Sequence, residues 1–130
     1  MRTSQVFLPL VLVACAAGDK PAGVKAQHVD PAAAVKLLAD QPDVQVLDVR
    51  TPTEFAAGHL KNAVNIDYKA SDFSARLGKL DRSKKYLVYC RSGRRSTGAL
   101  GVLTELGFHH QIHLDGGILA WQKASQPLVK

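Results

Sequence analysis

The sequence predicts an α/β domain with a mainly parallel sheet, on three observations. Short apolar runs alternate with stretches of helical spacing from about Val29 onward. Glycines, prolines and short polar residues punctuate that alternation where helices should start and stop. Three of the apolar runs end on chemically distinctive residues, at Asp48 to Arg50, at Cys90 and at Asp115. Open parallel sheets bind ligands beyond the carboxyl ends of their strands, so this pattern brings three distant segments to one rim.

The elements follow in order. Asp30-Pro31 pairs a helix cap with proline at the first helical position and opens a helix over 31–39. Residues 44–49 read as a short buried strand. Thr51 or Thr53 caps a short helix through Glu54 and Ala57 that Gly58 stops. Residues 63–66 are a further strand, and Ser71-Asp72 begins a helix through Leu77 that ends at Gly78. Tyr86–Tyr89 is rich in strand formers and stops at Cys90. Residues 94–106 place Ala99, Leu100, Val102, Leu103 and Leu106 on one helical face, with Gly107 beyond. Residues 111–114 form a strand, and Asp115-Gly116-Gly117 leads into a last helix containing Trp121.

The first residues stand outside this pattern. Met1 and Arg2 precede an apolar stretch, Val6 to Val13, that is too short to span a bilayer. The stretch runs into Leu12-Val13-Ala14-Cys15, which resembles the lipobox of bacterial lipoproteins. That resemblance implies removal of residues 1–14 as a signal peptide and lipid attachment at Cys15, with the acyl chains holding the protein at a membrane surface. An ordinary secretory signal that happens to contain a cysteine is the alternative. Residues 15–27, rich in alanine, glycine, lysine and proline, read as a tether, leaving 28–130 as the domain. The expected location is the periplasm, anchored to a membrane.

The whole chain has 130 residues, 46% of them apolar and 22% charged, which suits one globular domain. Its formal net charge of +6 favours anionic small molecules. Arg91, Arg94 and Arg95 form a tight basic group, and no aromatic residues interleave with it. A nucleic-acid partner is therefore not expected, and the domain is expected to be a monomer.

Of two cysteines, Cys15 and Cys90, lipidation of the first leaves the second as a lone thiol in an oxidising compartment. Cys90 opens the segment Cys90-Arg91-Ser92-Gly93-Arg94-Arg95-Ser96, which turns from a strand directly into a helix. Backbone N–H groups in such a turn form an anion nest, and the helix N-terminus adds partial positive charge. With three arginines alongside, each feature favours thiolate over thiol. Gly93 suits a position of positive φ or close ligand approach. A small buried apolar side chain is the competing reading for Cys90, but it leaves the arginines unexplained.

Three motifs together are similar to the rhodanese-like family, over about residues 29–121. They are Leu47-Asp48-Val49-Arg50 with Glu54-Phe55, Gly58-His59-Leu60, Ala63 and Asn65-Ile66; the Cys90–Ser96 loop; and Leu114-Asp115-Gly116-Gly117 with Trp121. The resemblance implies a sheet of about five short strands with helices on both faces. It implies sulfur transfer, in which the Cys90 thiolate takes sulfane sulfur from thiosulfate or a polysulfide, holds it as a persulfide and passes it to a thiol or cyanide acceptor. It implies no cofactor and no metal. Arg91, Ser92, Gly93, Arg94 and Arg95 are the implied substrate-binding loop, and Asp48 and Arg50 the implied structural support. Arg95 is expected to bind back to Asp48 as scaffold rather than to touch substrate. A non-catalytic binding module and a sulfur carrier remain as alternatives. Cysteine phosphatases and arsenate reductases are disfavoured, because four residues separate Cys90 from Arg95 where those enzymes have five.

Other polar residues have plainer readings. Glu54 and His59 are expected to stabilise turns rather than act as acid and base. Adjacent His109 and His110 would point to opposite faces of a strand, so at most two of His109, His110 and His113 align, and a metal site is not expected.

Overall fold

The structure, a computed structural model, describes residues 25–130. Cys15, the targeting segment and the tether up to residue 24 lie outside the described residues. The order of elements is β1 (Gln27–Val29), α1 (Pro31–Asp40), β2 (Gln45–Asp48), α2 (Pro52–Ala57), β3 (Val64–Asn65), α3 (Phe73–Leu77), β4 (Tyr86–Tyr89), α4 (Arg94–Glu105), β5 (Gln111–Leu114) and α5 (Gly117–Lys123). The strands form one sheet in the order β1-β5-β4-β2-β3, and every pairing is parallel. The α/β class, the five short strands and the helices on both faces are as the sequence predicts.

Local chemistry accounts for the helix starts. The Asp30 carboxylate accepts the Ala33 N–H at 2.8 Å, and Pro31 takes the first helical position. Thr51, rather than Thr53, caps α2 through a reciprocal box with Glu54. β1 is the element that the sequence did not reveal. Of its three residues only Val29 is buried, and the strand exists by pairing with Ile112–Leu114 of β5. It begins at Gln27, inside the stretch that reads as tether.

Both faces of the sheet are covered, so its central strands are apolar on both sides. Leu87 and Tyr89 of β4 face a core that contains Ala34 and Leu37 of α1 and Ile118 and Trp121 of α5. Tyr86, Val88 and Cys90 face the opposite core, with Phe73 and Leu77 of α3 and Ala99 and Leu103 of α4. This alternation decides where the thiol points. Cys90 leaves β4 on the α4 side, under the first turn of that helix. Among the described residues no helix is long and apolar enough to cross a membrane.

Candidate active site

Cys90 is 1% exposed. Its sulfur sits at the floor of a loop that rises through Arg91 and Ser92 and enters α4 at Gly93. Gly93 has φ 117° and ψ −14°, a left-handed conformation that glycine adopts without a Cβ penalty. This turn aims the Gly93 N–H at Sγ, 3.0 Å away. The Ser96 hydroxyl lies 3.3 Å from the same sulfur. Burial pushes the Cys90 thiol pKa up. The Ser96 hydroxyl and the backbone N–H groups of Ser96, Gly93 and Ser92 outweigh it, so the net shift is downward.

The thiolate is favoured first by hydrogen bonds of the loop and the first turn of α4, and the Arg95 charge also acts on it. Arg91 and Arg94 are exposed, and among the described residues neither forms an ion pair. Arg95 is half-buried and forms a bidentate pair with Glu54, at 2.7 and 2.9 Å. The scaffold role expected of Arg95 is served, but its partner is Glu54 of α2 and not Asp48. The Glu54 carboxyl is held down at about 2, first by this guanidinium, against partial burial, and then by Thr51.

Asp48 has a different partner. It is fully buried at the end of β2, where it accepts the Arg50 N–H at 2.8 Å and the Arg50 guanidinium at 2.7 Å. The Tyr89 hydroxyl donates to it at 2.6 Å and accepts the Leu60 N–H. Arg50 also donates to the Gly58 carbonyl at 2.7 Å. Asn65 closes the group by donating to the carbonyls of Asp48 and Arg50. Together these bonds fix the ends of β2 and β4 next to the loop. His59 donates to the Phe55 carbonyl at 2.8 Å and stacks on the Phe55 ring, a turn contact.

The loop is also held by α5. The N–H groups of Ile118 and Leu119 donate to the carbonyls of Cys90 and Arg91 at 2.9 and 3.1 Å. Gly117 permits this approach. A Cβ there would lie 2.5 Å from both carbonyl oxygens, and its φ is +59°. Beside the loop opens a cleft of about 220 Å3 lined by Arg50, Glu54, Arg91, Ile118 and Leu119 among others. A larger cleft of about 340 Å3, lined by Val35, Leu38, Val46 and Trp121, includes no side chain of the Cys90 loop.

Ser96 and His113 had no role from the sequence alone. Ser96 links Cys90 to His113, whose Nε2 is 2.6 Å from the hydroxyl. His113 donates from Nδ1 to Asp115 at 2.8 Å, and His28 of β1 donates to the same oxygen at 2.8 Å. These bonds, that of His28 first, hold the Asp115 carboxyl below its ordinary range against slight burial. Candidate donor atoms of His28, His113 and Asp115 lie within 4.8 Å of one another, and hydrogen bonds between them account for the arrangement. His109 and His110 are exposed and belong to no such group. Ser96 and His113 face each other only after β5 is laid beside β4, so no local spacing announces them.

A family model described as "Rhodanese-like domain" matches residues 30–124. A protein named "Sulfurtransferase" from Allochromatium vinosum is 33% identical over 102 residues, covering 78% of this chain and 94% of that one. A tRNA uridine(34) hydroxylase from Cytophaga hutchinsonii is 40% identical over 98 residues, which make up 73% of this chain but only 31% of that protein. Among solved structures, a rhodanese-related protein from Thermoplasma volcanium superposes with a TM-score of 0.68 at 33% identity, covering 79% of this chain and 97% of the other. The chain belongs to the rhodanese-like domain family.

Two outcomes follow from this geometry. Gly117→Ala forces a Cβ against two backbone oxygens, so it should cost about 1–3 kcal/mol in urea denaturation and slow alkylation of Cys90 as the loop shifts. The Glu54 carboxyl is depressed in the folded state, so its pair with Arg95 contributes stability that is fully present above the ordinary value of 4.5 and is lost as pH falls toward about 2. The stability difference between wild type and Glu54→Gln should therefore be largest above that window and vanish on acidification. A difference that does not vary with pH would remove the ion pair as its cause.

Proposed function

We propose that this protein is a sulfurtransferase that carries sulfane sulfur as a persulfide on Cys90. One observation carries the reading: a buried sulfur with its pKa lowered by loop N–H groups and a hydroxyl that converge on it. Such a thiolate is a nucleophile, and the same donors would stabilise the terminal anion of a persulfide. The Cys90 sulfur attacks the outer sulfur of thiosulfate. A new S–S bond forms, the S–S bond of thiosulfate breaks, and sulfite leaves with the electron pair. A thiol or cyanide then attacks the outer persulfide sulfur and returns Cys90 to its thiolate. Neither half-reaction requires a cofactor. A polysulfide serves as donor by the same attack, with a shorter polysulfide as leaving group.

Arg91 and Arg94 are exposed beside the loop, without ion-pair partners among the described residues. They suit the oxygens of an anionic donor. A protein named for sulfur transfer in A. vinosum, matched over 94% of its length, supports this reading over that of a binding module. We also propose, from the resemblance of Leu12-Val13-Ala14-Cys15 to a lipobox, that the protein is exported and lipid-anchored through Cys15.

Incubation of a chain lacking residues 1–15 with thiosulfate should add the mass of about one sulfur atom, which cyanide then removes and which Cys90→Ser abolishes. No mass gain with thiosulfate or with polysulfide, on freshly reduced protein, would leave the binding-module reading in its place. For the anchor, fatty-acid labelling of the full chain in a bacterial host should mark wild type and spare Cys15→Ala. Equal labelling of both would refute lipidation at Cys15.

A further inference from the structure

Ser96 is fully buried in the first turn of α4, with its hydroxyl 3.3 Å from Cys90 Sγ and 2.6 Å from His113 Nε2. The Gly93 carbonyl lies 3.1 Å away, but it already receives the Thr97 N–H at 3.0 Å and the Thr97 hydroxyl at 2.7 Å. Two donors match the two lone pairs of a carbonyl, so the Ser96 hydrogen is left chiefly to the sulfur or the imidazole.

The hydrogens on the imidazole can be assigned by the same reasoning. His113 Nδ1 is 2.8 Å from Asp115 Oδ1. An ionised carboxylate only accepts, so Nδ1 carries a hydrogen. On a neutral ring Nε2 is then a bare acceptor, and on an imidazolium it is a donor. Ser96 has one hydrogen to give. Opposite a neutral His113 it donates to Nε2, and the sulfur receives nothing from it. Opposite an imidazolium it accepts from Nε2 and is free to donate to the sulfur. The Ser96–sulfur hydrogen bond that favours the thiolate therefore goes with a protonated His113. A neutral His113 goes with a protonated Cys90 whose S–H donates to Ser96.

We propose that Ser96, His113 and Asp115 form a proton relay that couples the charge state of Cys90 to that of His113. The Cys90 S–H bond breaks as a Ser96 O–H bond forms, and the original Ser96 O–H bond breaks as an Nε2–H bond forms on His113. A neutral thiol and imidazole become a thiolate and an imidazolium, with no electron acceptor or outside base. The titratable groups around His113 come from three directions. His28 of β1 packs edge-on with ring centroids 5.2 Å apart, Asp115 lies at the β5–α5 turn, and Cys90 is reached through Ser96. Arg95, also on α4, feels the Cys90 charge while bound to Glu54. Ser96 and His113 are positioning residues in this scheme, and Cys90 alone exchanges sulfur. Their part in turnover rests on the sulfurtransferase reading, where the sulfur leaving the persulfide regains a hydrogen-bond donor without taking up a proton from solvent.

The test uses the full chain and needs no sulfur donor, so it stands apart from the persulfide experiment. Iodoacetamide labelling of the peptide carrying Cys90 is followed against pH in wild type, Ser96→Ala and His113→Gln. Gln cannot be protonated, but its amide N–H can still donate to Ser96. Ser96→Ala should lose about tenfold in labelling rate near neutral pH, the equivalent of one pKa unit, with the thiolate limb moved to higher pH, and His113→Gln should lose less. In parallel, NMR of the His113 ring should show its pH midpoint falling when Cys90→Ala removes the thiolate. Labelling of Ser96→Ala within about twofold of wild type, or a His113 midpoint that Cys90→Ala does not move, would overturn the relay. The NMR arm decides the matter even if His113→Gln fails to fold.

Discussion

The constraint on which this structure depends is the stabilisation of an anionic sulfur that has almost no contact with water. Burial alone favours the neutral thiol. What reverses it is a turn of a few residues that delivers N–H groups and a hydroxyl to one point, formed where a strand end, a left-handed glycine and a helix N-terminus follow one another within a few residues. β4 supplies the strand, Gly93 the turn and α4 the helix. All of these donors but the Ser96 hydroxyl belong to the backbone, so their aim is set by loop shape. The elements around the loop can therefore be read as devices that hold that shape.

Two such devices act from opposite sides. On one side the Asp48–Arg50 pair is buried at the end of β2, the strand adjoining β4. A buried ion pair of this kind loses much of its Coulomb attraction to desolvation, and removing one member leaves an uncompensated charge. Here the remaining polar capacity is filled by Tyr89, the Gly58 carbonyl and the Arg50 backbone. The pair is thus a rigid joint between strand ends rather than a source of reactive charge. On the other side, α5 grips the carbonyls of Cys90 and Arg91, which point away from the sulfur. With its N–H groups drawn in and two of its carbonyls drawn out, the loop has little room to rotate its peptides.

The parts of this arrangement legible in the sequence are those carried by neighbours in the chain. Asp30-Pro31, the Thr51–Glu54 box, the Tyr86–Tyr89 run and the Cys90–Ser96 loop all announce themselves within a few residues. The illegible parts depend on which strand lies beside which. β1 has three residues and one buried side chain, so its strand character comes from β5. The expected partner of Arg95 is Asp48, but Arg50 already occupies Asp48, and α2 presents Glu54 instead. His113 had no assigned role because its partner Ser96 is 17 residues away on another element.

The arginines show how the fold divides what the sequence presents as one cluster. Three of them lie within five residues of Cys90, and as a cluster they suggest one electrostatic effect. The fold separates them. Arg95 is used up on Glu54, where its charge is met by a carboxylate and it braces α4 against α2. Arg91 and Arg94 stay at the surface, where water screens their field at the sulfur but leaves them free to meet an incoming anion. Hydrogen bonds at 3.0 and 3.3 Å lead in favouring the thiolate, because they act at contact distance and inside the protein, and the Arg95 charge adds to them. Attraction of the donor and activation of the nucleophile are thus assigned to different groups. An exposed arginine can change without unmaking the thiolate, whereas Gly93 and Ser96 cannot.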